Sequence, residues 1–327
     1  MEKIKLNENE YNIQNIVDII ELSEKYQSGR KRPRGKMKYN LDLERLKDCI
    51  GPLKKLNELI GMEDIKKNII DQILFYTQEL NTDEMMNICL TGAPGVGKTS
   101  VGKILAELYC SMGFLKTNNF RVVGRAELIG GYLGQTAIKT KKVLKDSLNG
   151  VIFIDEVYQL GSSKADDDSF AKECVDTINQ FLSENTENFI MIIAGYAEEV
   201  ERCFFSMNQG LRRRFPWRYD IKDYTAGNLK DIFKYQVREN EWEFEENFNF
   251  SELDNIFSQK DYFKDNGGSC LILFDKAKIC HSRRVFGKRK SVKKYLNIHD
   301  INQAFQLMKK QQDATKKTSE PPYGMYL

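Results

Sequence analysis

GAPGVGKT, residues 92–99, decides the fold of this chain. The stretch matches G-x-x-x-x-G-K-[ST], the pattern of a phosphate-binding loop. The apolar run Ile88-Cys89-Leu90 precedes it and has the size of a short buried strand, while residues 100–108 carry apolar side chains at helical spacing. A strand, a glycine loop and a helix in that order are the context in which the motif binds nucleotides. A ligand-free glycine turn is the alternative interpretation.

Each residue type in the loop suits a triphosphate. Glycines allow backbone N–H groups to crowd around phosphates, and the helix N-terminus adds the positive end of its dipole. Lys98 can reach the β- and γ-phosphates, and the Thr99 hydroxyl can bind Mg²⁺. We therefore expect ATP and Mg²⁺ as cofactors. The expected nucleotide contacts are Gly92, Ala93, Pro94, Gly95, Val96, Gly97, Lys98, Thr99 and Ser100.

Two carboxylates follow a second apolar run. Asp155 and Glu156 come directly after Val151–Ile154, and Asp155 lies 57 residues after Lys98. A run that is apolar on both faces is typical of a central parallel strand, whose carboxyl end is where ligands bind. Asp155 is then a second Mg²⁺ ligand and Glu156 the general base that activates water. A helix cap is the alternative role for such a pair.

Composition limits the class of protein. The 327 residues are 41% hydrophobic and 30% charged, which is typical of a soluble globular protein of two or three domains. No apolar window is long enough for a membrane span and no signal peptide is seen, so we expect an intracellular, cytoplasmic protein, with a nuclear location left open. Seven scattered cysteines fit a reducing compartment. The net charge of +3 does not by itself indicate nucleic-acid binding.

Helical and strand patterns alternate over residues 54–220, which predicts an α/β fold with a parallel sheet flanked by helices. The pattern is helical only from about residue 225, which predicts a small α-helical domain. The predicted strands are 87–91, 119–124, 150–155, 188–194 and 216–221. The predicted domains are an N-terminal helical segment with a basic linker (1–50), the nucleotide-binding domain (51–222), the helical domain (223–315) and an extended tail (316–327).

Residues 54–220 resemble the core of an AAA+ ATPase, within the group of red-type rubisco activases (CbbX) and stage V sporulation protein K. The matching stretches are ELIGM (58–62), GAPGVGKTSVGKILAELY (92–109), GYLGQT (131–136), VIFIDEVYQL (151–160), IAGY (193–196) and NQGLRRRF (208–215). The resemblance implies a P-loop core followed by a helical lid. It also implies hydrolysis of ATP to ADP and phosphate in a homo-oligomeric ring, expected to be a hexamer, that acts on a protein client.

The resemblance assigns further residues. Ile60 and Gly61 match the turn that lies against adenine, with a simple core turn as the alternative. Tyr132 and Leu133 match the pore loop that grips an extended polypeptide, and an ordinary loop anchor is the alternative for Tyr132. Arg214, with Arg212 as its partner, matches the arginine finger that completes a neighbouring subunit's site. A basic turn is the alternative interpretation of these arginines.

One motif departs from the family pattern. Related lids carry an N-A-R-x-x-R-N stretch whose arginine reaches the γ-phosphate, whereas residues 266–272 here read NGGSCLI. This predicts slow hydrolysis or a specialised subunit, unless Arg283 or Arg284 substitutes. Three functions stay open: a ring ATPase that remodels a protein, a nucleic-acid motor using the basic runs 30–38 and 283–294, and a nucleotide-bound scaffold with weak turnover.

Overall fold

A computed structural model describes residues 13–25, 43–78, 80, 85–132, 134–161, 168–186 and 188–319. The chain forms two compact units. The first comprises Met1–Gly92 with Lys98–Ile221, and the second comprises Ala93–Gly97 with Lys222–Leu327. The tip of the glycine loop thus groups with the C-terminal residues. The domain bounds given above stay a prediction, and the basic linker at 28–36 lies outside the described residues.

The first unit is built on a five-stranded parallel sheet. Its strands are β1 (Ile88–Gly92), β2 (Phe120–Val123), β3 (Val151–Ile154), β4 (Ile190–Gly195) and β5 (Trp217–Ile221), in the order β2-β3-β4-β1-β5. The predicted α/β fold is confirmed, and each predicted strand lies within two residues of its observed bounds. Because all five strands are parallel, the loops after β1 and β3 leave from the same edge.

Helices cover both faces of the sheet. Those of the first unit are α1 (Ile16–Lys25), α2 (Leu43–Asp48), α3 (Ile50–Glu58), α4 (Glu63–Thr77), α5 (Lys98–Ser111), α6 (Arg125–Leu128), α7 (Gln135–Lys145), α8 (Ser169–Glu184), α9 (Ala197–Glu199) and α10 (Leu211–Arg214). Single 3-10 or π turns span Val157–Leu160, Val200–Phe204 and Phe205–Met207. Every residue of β3 and β4 is buried, as expected for strands covered on both faces.

One close approach positions the helix that follows the glycine loop. A Cβ on Gly102 of α5 would lie 2.7 Å from the Phe153 ring of β3, so glycine lets α5 sit directly on the sheet. On the same side as α5, α3 packs against that helix and α1 packs against α3. The side chains of Ile16 and Ile19 in α1 are almost fully buried, which makes this helix part of the core of the first unit.

The second unit is mainly helical. Its helices are α11 (Ala226–Glu239), α12 (Glu252–Phe257), α13 (Gly267–Val285) and α14 (Ile298–Ser319), with 3-10 turns at Lys260–Tyr262 and Lys290–Val292. Phe233, Phe257 and Phe274 form its aromatic core. Helix α14 ends at Ser319, so the predicted extended tail is wrong for residues 316–319. Lys316 and Lys317 are good helix formers, and no glycine or proline interrupts the helix before Pro321.

The sequence predicted only helices for this unit and missed a short pair of parallel strands, β6 (Glu243–Phe244) and β7 (Tyr295–Leu296). Two-residue strands are too short to show the alternation by which a strand is recognised. Among the helices of the described residues, none is long and apolar enough to cross a membrane.

Candidate nucleotide-binding site

The glycine loop leaves β1 and enters α5 at Lys98. Gly95 (φ +69°) and Gly97 (φ +91°) adopt left-handed backbone conformations, which glycine accepts without the steric cost that a Cβ would bring. The Lys98 ammonium donates to the Gly92 carbonyl at 2.9 Å and lies 5.5 Å from the centre of the Tyr196 ring. Burial lowers the pKa of Lys98, and the charges of Asp155 and Glu156 act in the opposite direction.

The two predicted Mg²⁺ ligands lie together. Asp155 follows the carboxyl end of β3, and its Oδ2 is 3.4 Å from the Thr99 hydroxyl at the start of α5. A hydroxyl and a carboxylate are the oxygen donors that fit Mg²⁺, which fills its remaining positions with waters and substrate phosphates. Among the described residues no cluster of three or more His, Cys, Asp or Glu side chains could hold a metal without such help. The Thr99 hydroxyl and the Asp155 carboxylate are donors that would fit Mg²⁺ bound together with a nucleotide.

Glu156 has a left-handed backbone (φ 49°, ψ 45°) at the sharp turn after β3. Its amide N–H donates to Asp155 Oδ1 at 2.9 Å, and its carboxylate accepts from the side-chain amide of Gln159. Burial, the charge of Glu156 and a hydrogen bond to it raise the pKa of Tyr158 to about 12. The Tyr158 ring stacks on Tyr196 at 5.6 Å. Sequence reasoning missed Gln159 and Tyr158, because a polar residue after an acidic pair carries no distinctive signal.

In the second unit, C-terminal residues bind the tip of the glycine loop. Asn266 Nδ2 donates to the Pro94 carbonyl at 3.3 Å, and the Gly267 N–H donates to the Gly95 carbonyl at 3.1 Å. The Tyr224 hydroxyl donates to the carbonyl of the next loop residue, Val96, at 2.8 Å. These contacts had no counterpart in the sequence-based predictions, since backbone carbonyls leave no trace in a sequence.

The expected lid arginines are absent from this segment. Positions 268 and 271, where the resemblance leads us to expect arginine, are Gly268 and Leu271. Arg284 was a candidate substitute, but its guanidinium donates to Asp300 at 2.9 Å and pairs with Glu245 at 2.7 Å. The hydrogen bond to Asp300 is the main reason that the pKa of Arg284 is raised. Arg284 therefore has structural partners within the second unit, and substitution by Arg283 or Arg284 for the missing arginine stays a prediction.

Comparison with known proteins identifies the family. Residues 88–222 match the family described as "ATPase family associated with various cellular activities (AAA)". The chain is 31% identical over 251 residues to "Protein CfxQ homolog" of Pyropia yezoensis, covering 73% of this chain and 83% of that protein. The chain belongs to the AAA+ ATPases, in the CbbX-like and stage V sporulation protein K group.

Other relatives agree with this AAA+ assignment. A "Putative cfxQ-like protein R730" of Acanthamoeba polyphaga mimivirus is 40% identical over 269 residues, 81% of this chain and 66% of that protein. "Stage V sporulation protein K" of Bacillus subtilis (strain 168) is 35% identical over 198 residues, 58% of this chain and 61% of that protein. The matched segment thus spans slightly less than two thirds of both relatives.

A solved structure supports the fold. The FIGL-1 AAA domain in complex with ADP superimposes with a TM-score of 0.57 at 18% identity, covering 80% of this chain and 88% of that domain. The likeness confirms the AAA+ fold. Membership of the family implies nucleotide binding. Members of the family are generally ATPases.

The predicted pore-loop position holds an exposed tyrosine. Tyr132 is 75% exposed between α6 and α7, so it is not a packing residue. The loop is anchored on both sides: the Gly130 N–H donates to the Thr136 hydroxyl at 3.1 Å, and the Lys139 ammonium donates to the Ile129 carbonyl at 2.9 Å. Leu133, the other predicted pore residue, lies outside the described residues.

Both predicted finger arginines, Arg212 and Arg214, lie on α10. Arg214 donates to the Ser183 hydroxyl at 2.6 and 2.9 Å and to the Gly210 carbonyl at 3.2 Å. Burial and the neighbouring charge of Arg213 lower the pKa of Arg214. The largely exposed Arg212 pairs with Glu201. Their role in a neighbouring subunit stays a prediction.

The adenine contact also stays a prediction. Ile60 and Gly61 form the turn between α3 and α4 and are both partly exposed. Gly61 has φ +70° and Met62 has φ +61°, so the turn is a sharp left-handed one. A partly exposed turn is compatible with a ligand contact and argues against the alternative that these residues only fill the core.

Proposed function

We propose that the chain binds Mg²⁺–ATP and hydrolyses it to ADP and phosphate, and that a homo-oligomeric ring of this chain, a hexamer, uses the energy to remodel or thread a protein. One observation carries the proposal. In the first unit, Thr99 and Asp155 meet at the carboxyl edge of the sheet, with the Lys98 ammonium and Glu156 beside them. Those are the groups that phosphoryl transfer to water requires.

Each of these residues has a distinct role in the proposed reaction. Lys98 neutralises charge on the β- and γ-phosphates, and its partial burial strengthens that interaction. Thr99 and Asp155 would hold Mg²⁺, which supplies charge neutralisation at the same phosphates. Glu156 accepts a proton from the attacking water, a role typically worth about 10²–10⁴-fold in rate. Arg214, with Arg212, completes the site of the neighbouring subunit.

A protein client is supported by Tyr132. Its exposed ring lies on a glycine-flanked loop whose base is hydrogen-bonded, which suits sequence-tolerant contact with an extended polypeptide. The name of another relative points the same way: "ESX-3 secretion system protein EccA3" of Mycobacterium tuberculosis is 32% identical over 200 residues, 31% of that protein. The client itself is a protein of unspecified identity.

The second candidate is a nucleotide-bound scaffold with weak turnover. It is favoured by Gly268 and Leu271, which place no cation at the two lid positions where relatives carry arginine. A nucleic-acid motor has less support: the basic segment 283–294 displays one exposed aromatic, Phe286, instead of the series of aromatics on which single-stranded nucleic acid stacks.

ATP turnover by the wild type, Lys98→Ala and Glu156→Gln separates these functions when it is measured alone, with an unfolded protein and with single-stranded DNA. We expect stimulation by the unfolded protein, loss of nucleotide binding in Lys98→Ala, and near-normal ATP affinity with turnover at least about 100-fold lower in Glu156→Gln. Lys103→Ala is the matched control, an exposed lysine on the same helix.

The other outcomes are equally informative. Stimulation by DNA alone would support the nucleic-acid motor. Tight ATP binding with wild-type turnover no faster than that of Glu156→Gln would support the scaffold. Normal nucleotide affinity in Lys98→Ala would refute the site.

A further inference from the structure

Three successive carbonyl oxygens of the glycine loop are hydrogen-bonded by other residues of the second unit. The carbonyls belong to Pro94, Gly95 and Val96, and their donors are Asn266 Nδ2, the Gly267 N–H and the Tyr224 hydroxyl. A Cβ on Gly267 would lie 2.9 Å from the Gly95 oxygen, so the missing side chain lets the Gly267 N–H come this close. The tip of the loop is therefore bound residue by residue.

These bonds fix the direction of the N–H groups in the loop. A trans peptide unit holds its C=O and its N–H antiparallel, and no cis peptide occurs among the described residues. When the carbonyls of residues 94, 95 and 96 point to their donors, the N–H groups of residues 95, 96 and 97 must point the opposite way. Those N–H groups are among the donors with which a loop of this type binds phosphates.

The donors are themselves held in place. Asn266 is 2% exposed, and its Oδ1 accepts from the Tyr224 N–H at 3.0 Å. The second hydrogen of its Nδ2 goes to Asp223 Oδ1 at 2.9 Å. Its backbone (φ 47°, ψ −118°) is one that few non-glycine residues adopt, and the surrounding contacts over-determine it. Tyr224 is 7% exposed. These contacts hold the donors in place within the second unit.

We propose that Tyr224, Asn266 and Gly267 are positioning residues that preorganise the loop N–H groups for the phosphates. They support nucleotide binding through the loop backbone, in a chain whose positions 268 and 271 lack the usual lid arginines. The proposal rests on the proposed function, because it presumes that the loop binds a nucleotide. Donors that already point at the ligand do not have to be reoriented when it binds, so affinity increases.

Replacing Tyr224 by Phe removes one of these bonds and keeps the ring. We expect Tyr224→Phe to weaken the binding of both Mg²⁺–ADP and Mg²⁺–ATP by about 3- to 10-fold, which is the effect of one hydrogen bond. The matched control is Tyr109→Phe, which removes another buried tyrosine hydrogen bond, 2.9 Å to Gln72 Oε1 in the first unit. Tyr109→Phe should lose similar thermal stability yet bind both nucleotides within about 2-fold of the wild type.

Titration with a fluorescent ADP and competition with ATP measure the affinities, and melting curves measure stability. Asn266→Ala should weaken binding by at least about 10-fold, since it removes the bond to Pro94 and the support of Tyr224. If Asn266→Ala does not fold, Tyr224→Phe decides alone. Equal nucleotide affinities in Tyr224→Phe and Tyr109→Phe would overturn the proposal, as would a loss confined to ATP, because the loop peptides serve both nucleotides.

Failure of this proposal is distinguishable from failure of the proposed function. If the wild type binds no nucleotide, or Lys98→Ala binds as tightly as the wild type, the proposed function fails and this inference fails with it. If Lys98→Ala loses binding and Tyr224→Phe behaves like Tyr109→Phe, only the positioning role is refuted.

Discussion

Gly95→Ala is the sharpest perturbation that the glycine loop offers. A Cβ at this position would lie 2.0 Å from the Asp265 carbonyl oxygen and 2.8 Å from the Gly268 nitrogen, both of them backbone atoms. Real Cβ atoms do not approach so closely, so the turn at 265–268 must move. That displacement disrupts the hydrogen bonds that Asn266 and Gly267 make to the loop.

The expected loss of stability has two parts. A left-handed backbone (φ +69°) costs an L-residue about 1–2 kcal/mol, whatever the space around it. Loss of the two loop hydrogen bonds adds about 0.5–1.5 kcal/mol each. We therefore expect Gly95→Ala to destabilise the second unit by about 2–5 kcal/mol, and to weaken nucleotide binding by more than about 100-fold, because the loop no longer presents its N–H groups.

Gly113→Ala is the control that separates the two parts. Gly113 has φ +81° in the turn after α5, and a Cβ there would have nothing within 4 Å. Gly113→Ala should lower the free energy of unfolding by the backbone cost alone, about 1–2 kcal/mol, and leave nucleotide affinity normal. Denaturant unfolding and ADP titration of both variants provide the comparison. If Gly95→Ala unfolds at the same midpoint as Gly113→Ala and binds ADP normally, the close packing of the loop on residues 265–268 is not what holds it in shape.

Three other variants test the proposed ATPase cycle. Arg214→Ala should lower turnover by about 10³-fold or more with unchanged ATP affinity, whereas Arg213→Ala should not lower turnover. Mixing Arg214→Ala subunits with Glu156→Gln subunits should restore some turnover. If rings shown to contain both subunits recover no turnover, the result counts against a shared site. Tyr132→Ala should keep its melting temperature and its basal turnover within a few-fold, because the ring is exposed, but should lose stimulation by an unfolded protein; unchanged stimulation contradicts the pore role. Gln159→Leu should lower kcat by about 10-fold without changing ATP affinity, because the Gln159 amide orients the Glu156 carboxylate. Adding Gln159→Leu to Glu156→Gln should lower kcat no further. An additive loss in the double variant would mean that Gln159 acts on another group.

The sheet was predictable because its signal is local. Runs such as Val151–Ile154 and Ile190–Gly195 are apolar on both faces, and burial on both faces produces such runs. The approach of Asp155 to Thr99 also followed from sequence, since the carboxyl ends of parallel strands meet at one edge. Position along the chain and strand direction were sufficient for both inferences.

What the sequence could not predict depends on backbone atoms and on contacts between distant segments. The bonds from Tyr224 and Asn266 to the loop end on carbonyl oxygens, which every residue possesses. Arg284 and Asp300 are 16 residues apart, and only the folded unit shows that they pair, so spacing alone left Arg284 open as a substitute for the missing arginine. The pair β6–β7 is formed by two residues on each strand and is likewise set by tertiary contacts.

The positioning role proposed for Tyr224 and Asn266 has a consequence for how this chain distinguishes ATP from ADP. An arginine that reaches the γ-phosphate acts on ATP alone, whereas oriented loop peptides act on phosphates that both nucleotides share. With Gly268 and Leu271 at the arginine positions, the C-terminal unit should therefore contribute equally to the binding of either nucleotide. Under the proposed function, discrimination would then fall to Lys98 and the expected Mg²⁺ ligands, and in a ring to the neighbour's Arg214. The ratio of ATP to ADP affinity should accordingly be the same in wild type and Tyr224→Phe, and should shift in Arg214→Ala only under conditions where subunits assemble.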